Sequence, residues 1–259
     1  MSNRNALVCG ASRGLGFAIA KELAQEGAHV IICSSNQERI HSAADELGNS
    51  TGKEITAFKC NLNEKSDIDN MVDRIMDRFN CIDILVNNTG GPPPGYFMEF
   101  DVDDWTNAFN NTFVSAIYLT RQLLPRMEKN SWGRIINLTS ITVKQPVDNL
   151  LLSNSIRMAI IGWAKTISNQ YAKQGITVNN IATGYTLTER VHNLAKSIAD
   201  DSGITAEQAM QKWIENIPAG RLAQPEEIAA TVAFLASERA SYITGATIPV
   251  DGGFIQSMF

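Results

Sequence analysis

The sequence predicts a doubly wound α/β fold: a parallel sheet of about seven strands with helices packed on both faces. Three observations predict it. Short apolar, β-rich runs alternate with longer helix-spaced segments from end to end, and parallel strands need the crossovers that such segments supply. The first strand-to-helix junction carries a glycine-rich turn, Gly10-Ala11-Ser12-Arg13-Gly14-Leu15-Gly16. No linker, internal repeat or low-complexity tract divides the 259 residues, so the chain 1–259 reads as one domain, long enough to bury a core.

The elements follow in order. Ala6-Leu7-Val8-Cys9 reads as a buried strand, and 15–26 as the helix it feeds. Val30-Ile31-Ile32-Cys33 reads as the second strand, followed by a helix over 37–47, a strand over 55–60, a helix over 64–79 and a strand over 82–87. Gly90-Gly91-Pro92-Pro93-Pro94-Gly95 then interrupts the pattern. Its prolines fix φ and withhold N–H donors, so a stiff loop is predicted at the sheet's carboxyl edge, where open α/β folds bind ligands. A helix over 105–129, a strand over 134–138, a helix over 154–174 and a strand over 177–182 continue the alternation. The stretch 186–217 is polar and weakly periodic, with the turn signal Asp200-Asp201-Ser202-Gly203; it suits either a mobile helical flap over the cleft or a surface insertion. A helix over 225–236 and a strand over 248–250 complete the sheet.

Composition narrows the function. Apolar residues make up 44% and charged residues 19%, which excludes wholesale disorder. The net charge of 22 − 27 = −5, with no Lys/Arg run, argues against a nucleic-acid or anionic-membrane partner. No apolar run approaches a membrane span, and Met1-Ser2-Asn3-Arg4-Asn5 passes straight into the first strand with no signal-like segment; the expectation is a cytoplasmic protein. Cys9, Cys33, Cys60 and Cys81 are too widely spaced for a CxxC pair and read as small buried hydrophobes. His29, His41 and His192 show no ligand spacing, so no metal site is expected.

The glycine-rich turn carries the chemistry. Gly10 permits a tight turn, Gly14 lets backbone approach a pyrophosphate, and Gly16 lets helix and sheet pack closely. The helix start then offers amide donors and the positive end of its dipole to phosphate. Where NAD-specific sites place a carboxylate after the second strand, this chain has Cys33-Ser34-Ser35-Asn36. Arg13, Ser34 and Ser35 facing a 2′-phosphate favour NADP over NAD.

Gly10-x-x-x-Gly14-x-Gly16 resembles the nucleotide motif of short-chain dehydrogenases/reductases, and Asn87-Asn88-Thr89-Gly90 resembles their NNAG motif. Gly220-Arg221-Leu222, Pro225-Glu226-Glu227-Ile228-Ala229, Tyr242-Ile243-Thr244-Gly245 and Val250-Asp251-Gly252-Gly253 are similar to the 3-oxoacyl-carrier-protein reductase branch. These matches run from residue 6 to residue 253 in the family's order. The resemblance implies that Ser12 and Leu15 belong to the phosphate loop. It also implies that Asn61 and Leu62 stand where the family contacts adenine, and that Asn88 and Gly90 line the adenosine side. Thr186 and Thr188 would then meet the nicotinamide end, although Thr183 replaces a proline at the start of that motif.

The same resemblance implies a catalytic Asn, Ser, Tyr and Lys. The Ser is Ser140. Ser153 stands where the family has Tyr, Arg157 where it has Lys, and Thr112, beside Asn111, where it has Asn. Ser153 and Arg157, at i and i+4, share one helical face. A serine hydroxyl is a far weaker acid than a phenol, and arginine cannot shuttle a proton. Either Arg157 grips ribose hydroxyls, or the pair tolerates a vacated pocket with Arg157 reaching an acidic neighbour. A relocated acid at Tyr96, Tyr185 or Lys144 is a further alternative.

Two functions are open at this level. One is NADP-dependent reduction of a small carbonyl substrate, or oxidation of the alcohol, with an atypical centre of Ser140, Ser153 and Arg157. The other is a non-catalytic NADP-binding sensor or regulatory subunit. The segments 105–129 and 154–174 are similar to the family's dimer-forming helices, and the apolar tail 253–259 resembles a tetramer contact, so a homodimer or homotetramer is expected.

Overall fold

The computed structural model describes residues 1–258, Asp201 by its backbone alone. In chain order the elements are β1 (Asn5–Cys9), α1 (Gly14–Gln25), β2 (His29–Ser34), α2 (Gln37–Thr51), β3 (Thr56–Lys59), α3 (Lys65–Phe79), β4 (Ile84–Asn87), α4 (Val102–Phe109), α5 (Ser115–Lys129), β5 (Gly133–Leu138), α6 (Leu151–Tyr171), β6 (Ile176–Thr183), α7 (Glu189–Ser202), α8 (Ala206–Asn216), α9 (Pro225–Ala236) and β7 (Thr247–Val250). The strands form one parallel sheet in the order β3-β2-β1-β4-β5-β6-β7. That is the predicted doubly wound topology. Its switch point lies between β1 and β4, where the strand order reverses and a crevice opens at the carboxyl ends.

Both faces of the sheet are buried, which explains the apolar runs in the strands. Ala6 and Val8 face α1, α2 and α9, whose Ile19, Leu23, Ile40, Val232 and Leu235 fill one core layer. Leu7 and Cys9 face the other layer, built with Ile68, Ile75, Leu119 and Leu123 of α3 and α5. All four cysteines are free and buried, and burial pushes the Cys81 thiol up to about 11, so Cys81 is no reactive thiolate at neutral pH.

A ladder of carboxamides crosses the middle of the sheet. Asn87, Asn137 and Asn180 sit opposite one another on β4, β5 and β6. Asn87 Nδ2 donates to Asn137 Oδ1 at 2.9 Å, and Asn137 Nδ2 donates to Asn180 Oδ1 at 2.9 Å. All three are at least nine-tenths buried. Asn137→Ala strands a donor on one side and an acceptor on the other, so it is expected to destabilise the fold by about 2–4 kcal/mol, read from the chemical denaturation midpoint. A change below about 0.5 kcal/mol would show that the ladder is energetically idle.

Several boundaries differ from the sequence reading; α6, for one, runs over Leu151–Tyr171 rather than 154–174, and α2 extends to Thr51. The helix expected over 105–129 begins earlier, because Asp101 and Asp104 form a reciprocal cap that starts α4 at Val102. It is also broken by a π turn, Asn110–Val114, before α5. The polar stretch 186–217 contains α7 and α8, opened by the caps Thr188 and Thr205, with α7 closed by left-handed Gly203. Phe259, the end of the apolar tail, lies outside the described residues.

Candidate active site

The glycine turn sits at the carboxyl edge of β1. Gly10 adopts φ +57, and a Cβ there would lie 2.8 Å from Asn88 O. Asn88 Nδ2 donates to both Cys9 O and Gly10 O, tying the end of β4 to the turn. Gly16 packs so closely that a Cβ would lie 2.8 Å from Ala11 Cα and closer still to Gly10 O. α1 starts without a capping side chain and without an acid in its first turn. Its leading amides and dipole end therefore stay open to phosphate, and Gly14 and Leu15 head that turn.

At the next strand end the second half of a dinucleotide site fits. Ser34 Oγ donates to Asn36 O, Ser35 is exposed, and Asn36 caps α2 through Arg39 N. Asn61 Oδ1 accepts from Asn63 N, so its carboxamide holds the turn after β3 while Leu62 packs on the core. No carboxylate stands among Ser34, Ser35 and Asn36 to repel a 2′-phosphate. Arg13, expected to face that phosphate, forms an ion pair with Glu189 at the start of α7. Thr188 caps α7 by accepting from Val191 N, and Thr186 is buried with its hydroxyl on Gly184 O.

The residues expected at the reaction centre lie just after β5 and in the first turns of α6. Ser140 Oγ accepts from Thr142 N at 3.3 Å, and no acceptor takes its own proton among the described residues. Ser153 Oγ lies 3.2 Å from Thr142 Oγ1 and accepts from Arg157 Nε at 3.2 Å. Arg157 Nη1 donates to Leu138 O at 2.9 Å. The expectation that Arg157 reaches an acidic neighbour is not met: its partners are a hydroxyl and a carbonyl, and no carboxylate pairs with it among the described residues. Burial and the nearby Arg190 lower its pKa to about 10. Thr112 lies in the π turn, buried, with Oγ1 lacking any partner. π turns of this kind are frequent at functional sites.

The relocated acids fare differently. Tyr185 is stacked on Trp213 at 4.5 Å and meets Phe254 edge-on, and burial pushes its phenol up to about 12. Tyr96 is 57% exposed on the loop. Lys144 ends the short turn Ile141–Val143 that Ser140 caps, so it alone of the three shares an element with Ser140.

Residues 10–255 match the family described as enoyl-(acyl carrier protein) reductase. The chain belongs to the short-chain dehydrogenase/reductase family. It is 33% identical over 253 residues to the 3-oxoacyl-(acyl-carrier-protein) reductase FabG of Aquifex aeolicus, covering 98% of each chain. It is also 33% identical to the NADPH-dependent reductase BacG of Bacillus subtilis, covering 100% of both. The solved L-sorbose reductase of Gluconobacter frateurii, complexed with NADPH and L-sorbose, superposes with a TM-score of 0.94 at 32% identity, over 100% of this chain and 98% of that one.

Within this short-chain dehydrogenase/reductase, two participants were not visible to sequence reasoning. Thr142 Oγ1 lies 3.2 Å from the Ser153 hydroxyl. Arg190 crosses from α7 to donate to Pro92 O at 2.8 Å, which anchors the Pro-rich loop. That loop is further fixed by Gly95 N, which donates to Asn149 O at 2.7 Å. The Arg13–Glu189 pair yields a prediction. Glu189→Gln frees Arg13 for a 2′-phosphate, so NADPH is expected to bind about threefold tighter, with NADH unchanged, in fluorescence titrations. Equal gains for both cofactors would place Arg13 away from the phosphate.

Proposed function

We propose that the protein is an NADP-dependent oxidoreductase that reduces the carbonyl of a small molecule, with Ser140 holding the carbonyl oxygen. NADP is favoured by the acid-free end of β2, and the similar reductases whose names specify NADPH support it. The open first turn of α1 and the Gly10–Gly16 turn hold the pyrophosphate; Ser34, Ser35 and Arg13 serve the 2′-phosphate. When bound, NADPH supplies a hydride for the carbonyl carbon. The observation that carries the reading is the uncommitted hydroxyl proton of Ser140, at the sheet edge shared with the glycine turn. Ser153 and Arg157 orient rather than protonate, since one is too weak an acid and the other keeps its proton.

Stopped-flow absorbance tests the proposal: NADPH mixed with protein and a ketone panel is expected to be oxidised in single turnovers. Tyr185→Phe and Tyr96→Phe are expected to keep turnover within about twofold. A collapse in either would make that phenol the proton donor.

A second reading draws on the Thr142–Ser153–Arg157 chain of hydrogen bonds, which leaves these side chains bonded to one another. On that reading the protein binds NADP as a sensor or regulatory subunit, and the cofactor stays reduced with every ketone. Self-association through α5 and α6 suits both readings, because Ile117, Leu124, Trp163, Ile167 and Tyr171 line a groove between those helices. Light scattering is expected to give a dimer or tetramer.

A further inference from the structure

Between the end of β5 and the Pro-rich loop lie two guanidinium groups with no acid to balance them. Arg157 is 8% exposed and bonds through Nε to Ser153 and through Nη1 to Leu138 O. Its Nη2 has no partner, yet the only enclosed unpartnered side-chain atoms among the described residues are Thr112 Oγ1 and Gln174 Oε1. The Nη2 edge is therefore not fully enclosed. Arg190, in the first turn of α7, lies near enough to lower the pKa of Arg157 and keeps one donor fixed on Pro92 O. Among the described residues no carboxylate pairs with Arg157 or Arg190; Arg39, Arg74, Arg121, Arg126 and Arg239 lack one too, but those five are exposed, as Arg190 is, whereas Arg157 is buried.

A buried cation beside a second cation is unfavourable unless a counter-charge arrives. The cofactor's phosphates are assigned elsewhere, to α1 and the end of β2. A planar fork matches a carboxylate. Leu138, which fixes the guanidinium, stands only two residues before Ser140. A carbonyl on Ser140 and an anion on Arg157 are thus within the span of one small molecule.

We infer that the substrate is an oxo acid whose carboxylate is held by Arg157 and Arg190 while its carbonyl rests on Ser140. The inference rests on the reductase reading above. The reaction balances as oxo acid + NADPH + H⁺ → hydroxy acid + NADP⁺: the hydride forms the new C–H bond, the C=O π pair moves to oxygen, and water supplies the proton.

Calorimetry on protein saturated with NADP⁺, where no turnover occurs, tests it with benzoylformate and its methyl ester. The acid is expected to bind at least about tenfold tighter than the ester. Arg157→Met is expected to bring the ratio to within about twofold, Arg190→Met to reduce it several-fold, and Arg157→Lys to restore part of it. NADP⁺ affinity should stay within about threefold throughout. The inference is overturned if acid and ester bind alike, if neither binds, or if the preference survives in Arg190→Met and Arg157→Met. It is equally overturned if Arg157→Met loses NADP⁺ instead, which would give the guanidinium to the cofactor. Should Arg157→Met not fold, the wild-type ratio and Arg190→Met decide. Failure of the wild type to bind NADP⁺ would sink the reductase reading itself, a distinct result.

Discussion

Gly16→Ala is expected to abolish useful cofactor binding and to lower the melting temperature together. The new methyl would meet main-chain atoms, Gly10 O and Ala11 Cα, which no rotamer change can move aside. Relief requires α1 to shift away from β1, and α1 also packs on α9 in the core. Overpacking of this kind costs about 1–3 kcal/mol. The amides at the start of α1 move with the helix, so NADPH is expected to bind about a hundredfold more weakly. Gly162→Ala is the control. Gly162 lies in α6 with open space around its Cβ direction, so that change is expected to be neutral or stabilising by up to about 1 kcal/mol. Differential scanning fluorimetry and NADPH fluorescence check both variants. Undiminished NADPH affinity in Gly16→Ala would remove the glycine turn from the binding site.

What the sequence could reveal depended on how local the cause was. Strands such as 30–33 are buried on both faces, so their apolar runs were plain, and the glycine turn is a contiguous feature tied to one junction. The start of α4 was missed although its cap is local: Asp101 and Asp104 carry the signal, but the apolar period begins only at Trp105. The helices within 186–217 were blurred because their exposed faces dilute the period, while the caps Thr188 and Thr205 were legible in principle. The partners in the site were beyond reach for a different reason. Arg13 and Glu189 are 176 residues apart, and Arg190 and Pro92 are 98 apart. No sequence period reports such pairs. The spacing of Ser153 and Arg157 on one helical face was readable; that the Thr142 hydroxyl would lie 3.2 Å from that of Ser153 was not, because it depends on how the turn after β5 packs on α6.

Ser140→Ala is expected to reduce kcat/KM for a reduced ketone by about 10²–10³ while leaving NADPH affinity unchanged. On the proposed reading its hydroxyl would donate where negative charge develops on the substrate oxygen, and losing an interaction that strengthens in the transition state lowers kcat rather than raising KM alone. Ser153→Ala makes the informative contrast. Its Oγ is already engaged by Thr142 and Arg157, so it has less to offer a substrate, and its loss is expected to cost about tenfold or less. Acidity gives an independent check. With Tyr185 pushed up to about 12, that phenol does not ionise at working pH, and kcat/KM is expected to lack the inflection that a tuned Tyr185 would produce between about pH 6 and 9. Arg157 carries its charge below its pKa of about 10, so activity on an anionic ketone should fall only as pH rises through that value. A clear ionisation near neutrality that survives in both serine variants would reveal a proton donor outside the Ser140–Ser153–Arg157 cluster, with Lys144 the first residue to replace.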